Sequence, residues 1–201
     1  MKTYPSIPTQ FQPETAYHVF DKLDGSNIRA EWTAKAGFDR FGTRRLLLSE
    51  GDPLAPSRDL ILEKYAAALE TVFRRDGYQK ATCFFEYVGP NSFAGNHPDP
   101  LERMDAILFD VNPHRRGILG PKEFLNLFGH LQIPSYIGEH TLDDGFVESV
   151  QAGKFEGVTN EGVVCKAVLK NRLKMTKVKS RAWLNRLRTE CDSEDEFVRR
   201  A

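Results

Sequence analysis

Short stretches in which apolar and polar residues alternate recur along this chain, and the alternation predicts strands at 17–20, 27–33, 44–49, 82–88, 105–111 and 162–168. A different spacing runs from Ser57 to about Arg75, where Leu60, Ile61, Tyr65, Ala68, Leu69 and Val72 recur every three to four residues. That spacing predicts a helix, with Ser57 as its cap. Gly120-Pro121 opens a second helix carrying Phe124, Leu125, Phe128 and Leu131, since proline suits the first helical turn. Residues 142–152 and 180–190 read as two more. Strands outnumber helices and do not alternate strictly with them, so the expected fold class is α+β with largely antiparallel sheets and flanking helices. The stretch from Gly89 to Pro100 is rich in Gly, Asn and Pro and predicts a long loop after a strand, a position suited to the rim of a site.

Composition adds little to this. The 201 residues are 40% hydrophobic and 28% charged, as in ordinary globular proteins. No apolar run reaches the roughly 18 to 20 residues that span a bilayer, and the first residues lack the apolar core of a signal peptide. Three widely spaced cysteines, Cys83, Cys165 and Cys191, form no CxxC pair and argue against a disulfide scaffold or a structural zinc. The expected compartment is a reducing cytoplasm, with no membrane partner. Net charge is zero, but nine Lys or Arg and no acid lie between Lys166 and Arg188, followed by an acidic tail. Such a block suits a polyanion such as nucleotide or nucleic acid, or else a solvated basic face.

One short segment carries chemistry. Lys22-Leu23-Asp24-Gly25-Ser26-Asn27 sits between strand-like runs, and fits either a surface hairpin or a lysine nucleophile at a strand end. A nucleophilic lysine must be neutral. With an ordinary pKa near 10.4, only about one in 2,500 is neutral at pH 7. Attack on a nucleotide phosphate also needs cations to take up charge and carboxylates to hold a divalent metal. Acids and lysines occur at other predicted strand ends: Glu86 in FFEYVG, Asp110 in ILFDV, Glu161 and Lys166 bracketing EGVVCK, and Lys177 and Lys179 in TKVKS. The last pair shares one face of an extended segment, because strand side chains alternate.

In order, KLDGSN, FGTRR, FFEYVG, LFDV, EGVVCK and TKVKS resemble the motifs of the covalent nucleotidyltransferase superfamily of polynucleotide ligases and mRNA capping enzymes. More narrowly, they are similar to those of ATP-dependent RNA ligases that seal nicks in duplex RNA. The resemblance spans about Tyr4 to Trp183 and implies a nucleotidyltransferase fold. It also implies a three-step reaction: Lys22 takes AMP from ATP, AMP passes to an RNA 5′-phosphate, and an RNA 3′-OH expels it. Asp24 would orient the ribose and Asn27 the phosphates. Arg44 would contact ribose or the RNA 5′-phosphate, with Arg40 and Arg45 as alternatives. Glu86 would bind ribose, and Glu161 would help hold Mg²⁺ (or Mn²⁺), with Asp110 a metal-site or supporting acid. Lys177 and Lys179 would contact the α-phosphate, with Lys166 a further contact. Among the aromatics, Phe109 suits adenine stacking, but strand parity sets it opposite Asp110 and predicts core packing. Trp183 is expected to anchor the last helix in the core.

Only 22 residues follow Lys179, so the expectation is a single adenylyltransferase domain, 1–201, without a β-barrel or helical accessory domain. An accessory protein supplying nick recognition is an expected partner beside ATP and RNA. Two other readings stay open: a ligase for DNA or mixed nicks, and a nucleic-acid-binding module with a degenerate ligase fold.

Overall fold

A computed structural model describes residues 1–90 and 103–201. In chain order the elements are β1 (Ala16–Lys22), β2 (Ser26–Thr33), β3 (Gly37–Thr43), α1 (Pro56–Arg75), β4 (Lys80–Val88), β5 (Asp105–Pro113) and α2 (Pro121–Phe128). There follow β6 (Tyr136–Thr141), α3 (Asp144–Gln151), β7 (Gly162–Leu169), β8 (Arg172–Lys179), α4 (Arg181–Thr189) and α5 (Glu194–Arg200). They form two four-stranded sheets, β3-β2-β4-β5 and β6-β1-β7-β8, and every strand pairing is antiparallel. The α+β class with antiparallel sheets is therefore observed. The loop expected over Gly89–Pro100 lies, from Asn91 onward, outside the described residues.

The chain divides into two compact units, the first comprising residues 1–5, 25–90 and 103–133, the second residues 6–24 and 134–201. In the first unit the alternate residues Ile28, Ala30 and Trp32 of β2 turn one way and join Cys83 and Phe85 of β4. Against them pack Ile61, Tyr65, Leu69 and Phe73 of α1 and Phe124 and Phe128 of α2, which are the apolar positions of the helical spacing. Tyr65 satisfies its hydroxyl in this core by sharing its one proton between the carbonyls of Ala106 and Gln132, at 2.7 and 2.9 Å. The opposite face of the same sheet carries Asn27, Arg29, Phe84 and Glu86, as the two-residue alternation requires.

In the second unit Tyr17 and Val19 of β1 and Val163, Cys165 and Ala167 of β7 face Phe146 and Val150 of α3. The other face presents His18, Phe20 and Lys22 from β1. Opposite them lie Lys166, Val164 and Gly162 of β7, which in turn pair with Met175, Lys177 and Lys179 of β8.

Three local expectations change, and two elements lie outside them. The strand expected at 44–49 lies at Gly37–Thr43, because Gly37 has the positive φ (70°) that turns the chain back along β2. Residues 44–46 bend, and the apolar Leu46 and Leu47 that suggested a strand are exposed. Helix α1 starts at Pro56 instead of being capped by Ser57, whose hydroxyl donates to the Leu54 carbonyl at 2.6 Å. Helix α2 begins as expected, with Gly120 as cap, but ends at Phe128, before Leu131. β6 and α5 were not anticipated; β6 is a mostly half-exposed strand without clear alternation.

Candidate active site

The lysine of the KLDG segment ends β1, and the chain passes from it into the other sheet, so Asp24-Gly25 is not a hairpin turn. Gly25 is required by space: a Cβ there would lie 2.5 Å from the carbonyl oxygen of Tyr87.

Across the second unit's sheet, Lys22 pairs with Gly162 and Gly162 pairs with Lys179. Gly162 has a φ of 138°, and a side chain there would collide with the backbone at Val178 and Lys179. The residue before it, Glu161, sets its carboxylate between the two lysines. Lys22 Nζ donates to Oε2 at 2.6 Å, and Lys179 Nζ is 2.8 Å from Oε1. All three side chains are at least three-quarters buried, Lys22 being the most open at 21%. The segment bearing Glu161 is pinned from both sides. Thr159 donates its N–H and hydroxyl to the Asp21 carboxylate at 3.0 and 2.8 Å, while Ser180 N donates to the Glu161 carbonyl at 2.9 Å.

Electrostatically the cluster is a carboxylate between ammonium groups. Burial, with repulsion from Lys22 and Lys177, pushes the Lys179 amine down to about 8, against the opposing pull of Glu161. Burial raises the Asp21 carboxyl above its ordinary range, partly offset by the Thr159 hydrogen bonds. Lys177 lies one row further along the same face and donates to the main-chain carbonyl of Ala201 at 3.0 Å. Lys166 shares the face but is two rows from Lys22, about 13 Å along the strands, and its ammonium lies 5.0 Å from the centre of the Phe20 ring. Asp24 is buried and accepts the indole N–H of Trp183 at 2.8 Å.

The remaining expected residues belong to the first unit. Asn27 and Glu86 are direct cross-strand partners. The Asn27 Oδ1 is buried with no hydrogen-bond partner among the described residues, as is Trp32 Nε1. Arg44 is exposed, just beyond β3. Asp110 is fully buried and accepts the Tyr4 hydroxyl. A bulge between Phe84 and Phe85 lets Phe84 pair with Asp110 and Phe85 with Leu108, leaving Phe109 as the extra residue. The simple parity that separated Phe109 from Asp110 therefore fails. Phe109 is half-buried, and its ring meets that of Tyr4 at 4.9 Å and of Phe84 at 6.3 Å.

Tyr4 is the residue that sequence reasoning missed. Burial first, then Asp110 and Glu86, push its hydroxyl well above its ordinary range, with Arg44 acting in the opposite sense. It thus stands among three of the expected site residues. A lone tyrosine upstream of every motif carries no signal of this.

A divalent cation fits Glu161 in one limited way. Magnesium is often held by one or two carboxylates, with nucleotide phosphates and water completing its shell. No group of three or more His, Cys, Asp or Glu is placed to bind a metal among the described residues. Nor is any helix among those residues long and apolar enough to cross a membrane.

No protein-family model and no curated protein matches the sequence. Solved structures do match in fold. A putative ATP-dependent DNA ligase from Aquifex aeolicus superposes with a TM-score of 0.71 at 18% identity, over 100% of this chain and 57% of that one. An RNA ligase from Naegleria gruberi, as an apo mutant, gives 0.65 at 18% identity over 90% of this chain and 58% of that one. A second mutant of the Naegleria ligase, with ATP and manganese, gives 0.62 at 18% identity over 85% and 50%. The chain spans little more than half the length of these ligases, and its fold is that of their nucleotidyltransferase domain.

Proposed function

We propose that this chain is the adenylyltransferase domain of an ATP-dependent ligase that joins RNA ends. The observation that carries the reading is the row Lys22–Gly162–Lys179 with Glu161 between its lysines. A strand-end lysine that shares a buried carboxylate with a second cation is suited to attack phosphorus. The structural likeness to an RNA ligase and a DNA ligase supports the same class.

In this reading Lys22 must first shed a proton, and Glu161 Oε2 is within reach to accept it. The Lys22 Nζ–phosphorus bond then forms as the α–β phosphoanhydride bond breaks, and the electron pair leaves with pyrophosphate. Lys179 and Lys177 take up charge on the α-phosphate oxygens, and Lys166 lies further along their face. A divalent cation would neutralise phosphate charge, and Glu161 would hold it only in its ionised form, before or after carrying that proton. In the first unit Glu86 and Asn27 are assigned to ribose and phosphates, Arg44 to ribose or the 5′-phosphate, and Asp110 to a supporting carboxylate that fixes Tyr4. The bulge at Phe109 supports assigning that ring to adenine stacking. Asp24 is assigned to the ribose side, held by Trp183. The domain is assigned to the cytoplasm, with RNA and ATP as partners and nick recognition left to another segment or protein.

A ligase for DNA is the second reading, favoured by the likeness to the Aquifex protein. Sealing of nicks with RNA or DNA 3′-OH ends, in the presence of ATP and Mg²⁺, separates the two. The RNA reading expects joining only with a ribonucleotide 3′ end; equal or better joining of all-DNA nicks contradicts it.

A further inference from the structure

Trp183 touches two of the assigned residues, Asp24 and Lys179, while the proposed reaction uses it only to hold Asp24. Ser180 caps α4 by accepting the main-chain N–H of Trp183 at 3.2 Å, which fixes the tryptophan one turn beyond Lys179. The indole is buried, at 2% exposure. Two parts of it make two polar contacts. The ring N–H donates to Asp24 Oδ2 at 2.8 Å, and the Lys179 ammonium lies 4.1 Å from the ring centre. A tryptophan serving only as a core anchor needs a single partner for its N–H. This one instead joins the aspartate two residues beyond Lys22 to the ammonium that shares Glu161 with Lys22.

We infer that Trp183 is a positioning residue for transfer of AMP to Lys22: its N–H sets Asp24, and its face sets the Lys179 ammonium. The inference rests on the adenylylation reading. Its physical basis is the set of groups around Lys179. Glu161 faces it from the segment before β7, Lys22 from β1, Lys177 from its own strand and the indole from α4. Of these, only Glu161 and the ring face stabilise the ammonium. Without the ring, repulsion from Lys22 and Lys177 has only Glu161 to oppose it. Without the N–H, a buried carboxylate oxygen loses a donor, and the segment that carries Lys22 loses a tether.

Two variants separate face from N–H. Trp183→Phe keeps an aromatic face and removes the donor; Trp183→Leu removes both. The two contacts are read without turnover in the NMR resonances of the Trp183 indole, with circular dichroism to verify folding: Asp24→Asn should shift its N–H resonance and Lys179→Met those of its ring protons. In single-turnover labelling with ATP, Trp183→Phe should slow AMP transfer about tenfold with little change in half-saturation, because it misplaces groups without removing one that binds ATP. Trp183→Leu, which also removes the ring face, should slow it further. Unmoved ring resonances in folded Lys179→Met overturn the inference, as does a wild-type rate in Trp183→Phe. If Trp183→Leu does not fold, the rate in Trp183→Phe decides alone. If the wild type takes no label, the adenylylation reading fails instead, and the indole resonances still decide what Trp183 holds.

Discussion

Asn27 has a proposed role that can be separated from its packing. Its Oδ1 is buried and unpartnered among the described residues, as is Trp32 Nε1, and such an atom costs stability. Asn27→Ala should therefore leave thermal stability unchanged or raise it by up to about 1 kcal/mol. It should raise the half-saturating ATP concentration for enzyme labelling about tenfold. Calorimetry and a labelling titration check the two halves, and a large loss of stability contradicts the assignment. Lys179 makes a second prediction at this scale. Its folded midpoint near 8 lies below the usual 10.5, so between those values the native state binds fewer protons than the unfolded chain. The contribution of this lysine to stability therefore rises with pH across that window, and Lys179→Met should remove that slope from a stability–pH profile. The charge needed at the α-phosphate disappears over the same range while the neutral fraction of the nucleophile grows, so apparent second-order labelling by ATP should rise with pH up to about 8 and level off above it. Lys22, Glu161 and Lys179 could be read from the sequence because each closes or opens a short apolar strand. Tyr4 could not, since its role depends on a chain segment far from every motif.

At the scale of elements, alternation located strands where both faces carry a consistent pattern, as in β2, β4 and β7. It misplaced β3 because Leu46, Leu47 and Leu48 form an apolar run beyond a strand that Gly37 had already begun. It also misjudged Phe109, because a bulge adds one residue and reverses the parity that follows. The helix α5 carries a local signal in Ser193, which accepts from the N–H of Glu196, a capping pattern at the start of an acidic first turn. The junction of β1, β7 and β8 depends on Gly162 having no side chain. Gly162→Ala should destabilise the fold by about 2 kcal/mol or more, since a buried overlap with main chain has no flexible neighbour to yield. A thermal melt matching the wild type contradicts that geometry.

For the whole chain, the basic run between Lys166 and Arg188 resolves into parts with different roles. Lys166, Lys177 and Lys179 belong to one sheet face, while Arg181 and Arg188 pair with Glu148 and Glu194. The exposed Lys170, Arg172 and Lys174 lie around the β7–β8 turn, where they suit sequence-independent phosphate contacts. Replacing all three with alanine should weaken RNA binding and reduce the slope of log affinity against log salt by about 2, with labelling by ATP unchanged. An unchanged slope removes this surface from the RNA contact. The order of motifs made the fold legible from sequence, but the division into two units was not, because each unit is assembled from segments distant in the chain. Every step of the account depends on one covalent bond. The folded chain should be incubated with α-labelled ATP and Mg²⁺ and digested, and the peptides analysed by mass spectrometry. The account predicts an AMP adduct on Lys22, lost in Lys22→Ala and also in Lys22→Arg, which keeps the charge beside Glu161 but not the nucleophile. Absence of an adduct in the wild type, or an adduct that survives in Lys22→Arg, would contradict it.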